Sequence, residues 1–331
     1  MATDLEELIP PADAVGEPLD VPRSIAFHRS FGDRTYRALT QAAGLSTLAI
    51  MGLIGFFLVL KARPAFQEMG WRFFTSVKWN PQTHGIASVV ADTVLVSIVA
   101  LAIAVPAAIA TALCINEYAP LALRRPLTSM IDLLAAIPSI IYGLWGRQVL
   151  GHNLEGVSRW LAHNLGFIPL FSVKGGRYDS SRFLAAVVVA IMVLPIATSI
   201  IRQVFSQTPP GEKEAALALG GTRWGMIRTV VIPYGRGGII GGSMLGLGRA
   251  LGETIAVALV LATAFKLDVH VLQPGGATIA SLIAVKFGEA GARELSALMA
   301  AGLVLFVMTL LVNLVATAII SRSRSGAGVE L

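Results

Sequence analysis

The sequence predicts an all-α, polytopic membrane protein with about six transmembrane helices. Three observations carry that expectation. Of 331 residues, 55% are hydrophobic and only 14% are charged, where a soluble globular protein carries about 25% charged residues. The mean hydropathy is +0.71. Six stretches approach the ~20 apolar residues that a helix needs to cross about 30 Å of hydrocarbon. This balance excludes a disordered chain and argues against an ordinary soluble enzyme. The remaining charge is basic, +6 net with a pI near 9.8. Its residues are spread between apolar runs rather than gathered on one face, so the expected surroundings are membrane lipid and not nucleic acid. The single cysteine, Cys114, excludes an intrachain disulfide and a cysteine-based zinc or iron–sulfur site.

Residues 1–40 read as an amino-terminal tail and interfacial segment. Residues 1–22 are acidic (Asp4, Glu6, Glu7, Asp13, Glu17, Asp20) and lack the basic start and apolar core of a secretory signal. Residues 23–37 mix basic and aromatic side chains, which suits a membrane surface. The transmembrane domain is expected over 41–320, with spans at 41–60, 88–113, 127–145, 183–201, 237–265 and 295–320, followed by a short tail at 321–331. Pro106, Pro138 and Pro195 fall inside three of the spans. Such prolines are tolerated where neighbouring groups satisfy the freed carbonyls, and they kink helices. Trp71, Trp79 and Trp145 fall near span ends, where aromatic rings favour the interface. With the amino terminus inside, about 13 basic residues lie inside and about 12 outside, so the positive-inside rule does not orient the chain.

Between the fourth and fifth spans lies a loop over 202–236. Pro209 and Pro210 start a short helix there, because proline's missing N–H is no loss in a first turn. Glu212 and Glu214 are placed in that first turn, the favourable end for negative charge. Gly220 and Gly221 end the helix. About two turns long, with a small face of Ala215, Ala216 and Ala218, it is too short to be stable alone. It must pack on its own membrane domain or on a partner.

The fifth span begins with Gly238, Gly242 and Gly246 spaced by four, and Gly248 and Gly252 repeat the spacing. That pattern lets a neighbouring helix approach closely. Gly246, Gly248 and Gly252 do not form a dinucleotide fingerprint, which needs one residue fewer and a preceding strand. Arg249 and Glu253 lie in this span, where a charge costs ~2.5–3.5 kcal/mol on insertion scales. Four residues apart, they share one helical face. They read either as a structural ion pair or as an anion path in which the substrate competes with Glu253 for the planar donors of Arg249. Asp92 and Asp132 are each placed near a helix start, stabilised by backbone N–H groups. His28, His84, His152, His163 and His270 show no ligand spacing, so no metal is expected. Arg147, Arg159, Lys174, Arg177 and Arg182 read as solvated charge in outer loops.

The loop resembles the EAA loop of ABC importer permeases: Glu214-Ala215-Ala216, then Gly220, then Val230, Ile232 and Pro233 keep that family's spacing. The run Gly246-Leu247-Gly248-Arg249-Ala250-Leu251-Gly252-Glu253-Thr254-Ile255-Ala256-Val257 is similar to the PstC family of phosphate importer permeases. Phe73-Phe74-Thr75-Ser76, Trp79-Asn80-Pro81 and the run from Ala136 to Gly146 agree with it. The related PstA permeases usually continue after Gly-Glu-Thr with Ala-Pro, where this chain has Ile255-Ala256-Val257. The resemblance runs from about Trp71 to the last span.

It implies the type I ABC importer permease architecture in a bacterial inner membrane. Glu214, Ala215, Ala216 and Gly220 would form a cytoplasmic coupling helix docked on an ATPase, which puts both termini inside. Arg249, with Glu253 nearby, would meet phosphate at the gate. The implied partners are a second permease resembling PstA, an ATPase dimer resembling PstB and an external phosphate-binding protein resembling PstS. No cofactor is expected in this chain, since ATP and Mg would bind the partner ATPase. Consistently, the chain has no GxxxxGK[ST] phosphate loop, no GxSxG elbow and no HExxH pair. The alternatives are another oxyanion (sulfate, molybdate or phosphonate) and a secondary anion transporter, which would predict inverted repeats; none is evident.

Overall fold

The computed structural model describes residues 31–173 and 178–324. The expected tails at 1–30 and 325–331 lie outside the described residues, as do Lys174 and Arg177. Among the described residues the regular elements are helices, apart from one short hairpin. Helix α1 (Phe31–Met69) is followed by the single turn α2 (Arg72–Thr75) and the hairpin β1 (Trp79–Asn80) and β2 (Thr83–His84). Helix α3 (Ala87–Leu113) runs on through a π-turn to Tyr118. Helices α4 (Leu121–Ala136), α5 (Ser139–Trp145) and α6 (Gly151–Asn164) come next, then α7 (Arg182–Ser206). Beyond it lie α8 (Pro210–Ala218), α9 (Arg223–Met226) and α10 (Ile232–Tyr234). The chain closes with α11 (Arg236–Gly252), α12 (Ile255–Val260), α13 (Ile279–Lys286) and α14 (Ala292–Arg324). The packing of the described residues divides into two units, one ending at Leu53 and one beginning at Ile54. In the first, every side chain of α1 from Phe31 to Leu53 is exposed, as suits a helix facing lipid. Residues 31–40 therefore belong to the first helix.

Among the described residues, four helices are long and apolar enough to span a membrane: Phe31–Met69, Ala87–Tyr118, Arg182–Ser206 and Ala292–Ile319. The expected span at 127–145 is a bent pair, Leu121–Ala136 and Ser139–Asn164, at 87°. Of the three prolines, only Pro138 breaks its helix: it takes an extended conformation and precedes α5. Pro106 and Pro195 sit inside continuous helices. The expected span at 237–265 is broken too. It stops at Gly252, resumes for six residues in α12, and continues as non-helical chain to α13. The last part of that segment, residues 271–278, is largely buried in protein, the condition under which irregular backbone is tolerated at membrane depth, whereas Ala262, Thr263, Lys266, Leu267 and Val269 before it are exposed. Val271 and Leu272 are fully buried. Its backbone is paired by Val271 N to Leu170 O (2.9 Å), Phe183 N to Val271 O (2.8 Å) and Gly276 N to Ala262 O (3.0 Å).

The main core joins α3, α7 and α11. Between apolar helices in lipid the attraction is packing, so small residues that allow close approach dominate. Ala100, Ala104, Ala108 and Ala112, one helical turn apart, are all fully buried in this core. The glycine stripe of α11 does the same against α7. A Cβ at Gly238 would meet Val204 at 2.5 Å, one at Gly246 would meet Val193 at 2.6 Å, and one at Gly242 lies 3.1 Å from Ala197 O. The second stripe is not used this way, since nothing lies within 4 Å of a Cβ at Gly252. A smaller core gathers Ala62 and Ala65 of α1 with Phe73, Ile279 and Leu298. There the hairpin is pinned by Trp79, whose Nε1 donates to Glu294 Oε1 (2.9 Å) and whose ring stacks on Phe265.

Candidate functional site

The segment after α7 builds a small protruding helix. Pro210 opens α8 and Glu212 occupies its first turn. Glu214 lies one residue beyond that turn, so Glu212 alone gains from the helix N-terminus. At the other end Gly220 takes φ +85°, the left-handed region. Gly220 N donates to Leu217 O (3.0 Å) and Gly221 N to Ala216 O (3.2 Å). These two bonds satisfy carbonyls the helix end leaves free. Thr222 then caps α9, accepting from Gly225 N at 3.1 Å.

The helix is held at its root and free on its outer side. Lys213 Nζ pairs with Glu117 Oε1 at 2.6 Å, tying α8 to the end of α3. Ala216 packs against the main core. No residue of α8 is buried, and Glu214, Ala215 and Gly220 are exposed. Leu219 is 90% exposed and Trp224 58%. A nine-residue helix cannot hold itself in water, so its anchor is the Lys213–Glu117 pair and Ala216. The exposed Leu219 at its end and Trp224 of α9 are left for something else to cover. The pairing partner of Lys213 lies 96 residues away, and no local signal in the sequence announces it.

Arg249 and Glu253 are not brought together. The expectation of one shared face required a continuous helix, and α11 ends at Gly252. Glu253 is extended (φ −66°, ψ 123°) and buried. Its Oε1 accepts from Ala256 N at 3.3 Å, so it caps α12. Arg249 stays on the exposed side of α11, within electrostatic reach of Tyr142. Among the described residues it has no carboxylate partner.

The two helix breaks face one another. Helix α5 lies against α12 so closely that a Cβ at Gly143 would come 2.8 Å from Ala256 Cα. At the first break, the Tyr142 hydroxyl donates to Leu134 O (2.9 Å), a carbonyl freed by Pro138. At the far end of α12, Arg147 Nη1 donates to Leu259 O (2.9 Å). Two interrupted helices thus place an unpaired arginine beside unwound backbone, an arrangement suited to a path for an anion.

Three readings of single residues are corrected. Asp132 is exposed on α4, which begins at Leu121, so no helix N-terminus stabilises it. Arg182 is not a solvated loop charge, and Asp92 lies beyond the first turn of α3. Both are buried, and Arg182 Nε donates to Asp92 Oδ1 at 2.5 Å. Asp92 Oδ2 also accepts from Ala277 N (3.1 Å), and the neighbouring Thr93 Oγ1 accepts from Ile279 N (2.9 Å). The pair fastens α3 and α7 to the irregular segment before α13.

Comparison with known proteins gives three kinds of match. The profile of the family described as binding-protein-dependent transport system inner membrane component matches residues 104–325. The chain is 42% identical over 326 residues to "Phosphate transport system permease protein PstC 2" of Mycobacterium bovis, covering 94% of this chain and 100% of that one. It is 43% identical to the PstC of Mycobacterium leprae, covering 87% of this chain and 92% of that one. It is 40% identical to the PstC of Mesorhizobium japonicum, covering 89% and 92%. Among solved structures, a bacterial alginate ABC transporter in complex with a periplasmic protein aligns with TM-score 0.60 and 19% identity, over 90% of this chain and 99% of the matched one. That likeness supports the fold.

Proposed function

The chain belongs to the family of binding-protein-dependent transport system inner membrane components, with the PstC permeases as its relatives, and we propose that it is the permease subunit of an ATP-driven importer of inorganic phosphate. The observation that carries the anion reading is Arg249, an arginine within the membrane domain with an exposed position and no carboxylate partner among the described residues. A guanidinium presents a planar fork of donors that matches phosphate oxygens.

In this reading α8 is the cytoplasmic coupling helix. Glu214, Ala215, Leu217 and Leu219 on its free side enter a cleft on an ATPase subunit, while Lys213–Glu117 transmits its displacement to α3. The loop 202–236 and both termini are then cytoplasmic. An external binding protein delivers phosphate from the opposite side, and a second permease completes the path. ATP and Mg are bound by the ATPase. Closure of the ATPase pair moves the coupling helices and changes access at the facing breaks of α4–α5 and α11–α12. Glu253 acts as a positioning residue, fixing where α12 starts and hence how close α5 comes to Arg249. Phosphate passes Arg249 on its way inward.

Co-purification of the tagged chain from its native membrane tests the assembly. Recovery of a P-loop ATPase and a second permease is the expected result. Recovery of the chain alone, in a membrane that imports phosphate, would count against it.

A further inference from the structure

A second cationic site lies away from Arg249, at the side of the molecule where α8 is rooted. The end of α3, the start of α4 and the end of α7 line an open cavity of about 480 Å³. Arg124, Arg125 and Arg202 line it, with Asn116, Ser129 and Ser206. Its frame is built by two hydrogen bonds. Asn116 Nδ2 donates to Arg202 O (2.8 Å), and Arg124 Nε donates to Ala119 O (3.1 Å). No carboxylate lines the cavity. The nearest along the chain, Glu117, is already neutralised by Lys213. Among the described residues, none of the three guanidiniums pairs with an acid.

Three like charges around one cavity repel each other, and an anion between them removes that cost. Guanidinium forks and hydroxyl donors together select tetrahedral oxyanions over chloride, because they give directed, paired hydrogen bonds. The geometry points to an inner-face binding site for a phosphate group, held by Arg124, Arg125 and Arg202 with the hydroxyl of Ser129; the Ser206 hydroxyl is already donated to Gln203 O (2.7 Å). The site sits where two spanning helices end, so the group can come from free orthophosphate or from the headgroup of an anionic lipid. Its occupancy bears on coupling. It clamps the ends of α3 and α7, which are the two supports from which α8 hangs. The assignment to the inner face rests on reading 202–236 as the cytoplasmic loop.

The test uses the full-length chain in phosphatidylcholine nanodiscs, carrying Arg249→Ala so that the gate is not counted. Labelled orthophosphate binding and retention of added phosphatidylglycerol, counted by native mass spectrometry, are measured side by side. One of the two is expected to bind saturably, and Arg124→Gln/Arg125→Gln/Arg202→Gln is expected to weaken it at least tenfold. Ser129→Asp, an exposed substitution that supplies the cavity with its own carboxylate and is compatible with folding, is expected to do the same. Orthophosphate binding identifies the free ion as the source, and phosphatidylglycerol retention identifies the lipid. Binding of neither, or equal binding by the Ser129→Asp chain, overturns the site. Phosphate uptake by the assembled transporter separates the two failures. Absent uptake counts against the function, whereas intact uptake without binding counts against this site alone.

Discussion

Replacing Asp92 with alanine should destabilise the chain by about 3–5 kcal/mol, the cost of leaving a buried charge without its partner. The side chains of Asp92 and Arg182 are 1% and 2% exposed, so water cannot screen the loss. Asp92→Ala orphans the guanidinium and also the Ala277 N–H, which Asp92 Oδ2 accepts at 3.1 Å. Asp92→Asn keeps an acceptor for that N–H and should fall near the lower end, about 3 kcal/mol. Removing both charges, as Asp92→Leu/Arg182→Met, leaves neither group unpaired and should recover most of the stability. The assay is reversible unfolding in mixed micelles followed by circular dichroism, with amide exchange at Ala277 and Ile279 as the local readout. A single substitution costing under about 1 kcal/mol would refute the reasoning, since that is the worth of an exposed pair. A double substitution worse than Asp92→Ala would refute it as well.

Four further outcomes follow from the same structure. Gly220→Val forces a β-branched residue to φ +85° and should cost about 1–2 kcal/mol at the end of α8, with loss of ATPase co-purification. Leu219→Asp, at a 90% exposed position, should lose the ATPase while leaving the melting of the isolated chain unchanged. Gly143→Leu drives a side chain into Ala256 and should cost about 1–3 kcal/mol, abolishing uptake by separating α5 from α12. His84 is 2% exposed and its Nδ1 has no partner among the described residues. Burial lowers its pKa, so the unfolded chain takes the proton first and stability falls as pH drops below about 6.5. Unfolding midpoints across pH 5–8 should show this slope, and His84→Gln should flatten it.

Much of the fold was legible because membrane helices satisfy their own backbone and announce themselves by apolar length. The spans at 88–113, 183–201 and 295–320 correspond to α3, α7 and α14 in this way, and the Gly238, Gly242 and Gly246 stripe correctly marked close packing. The broken spans were less legible. Composition over 237–265 is as apolar as a span, and nothing in it shows that Glu253 leaves the helix to cap α12. The i, i+4 argument for Arg249 and Glu253 assumed the very continuity that the break removes. The ends of α8 were readable from Pro210 and Gly220, because both act through their own backbone. Its anchor was not, because Lys213 and Glu117 meet only through tertiary folding. Asp92 and Arg182 escaped for the same reason: 90 residues apart, one reads locally as a helix-start acid and the other as a solvated loop charge.

The most direct test of the phosphate reading is ATP-driven uptake in proteoliposomes holding the chain with its second permease, ATPase and external binding protein. The account predicts accumulation of labelled orthophosphate that unlabelled sulfate does not compete away. It also predicts that Arg249→Ala, exposed on α11 and structurally undemanding, assembles normally yet accumulates nothing. Phosphate accumulation by an assembled Arg249→Ala complex at the wild-type rate would contradict it.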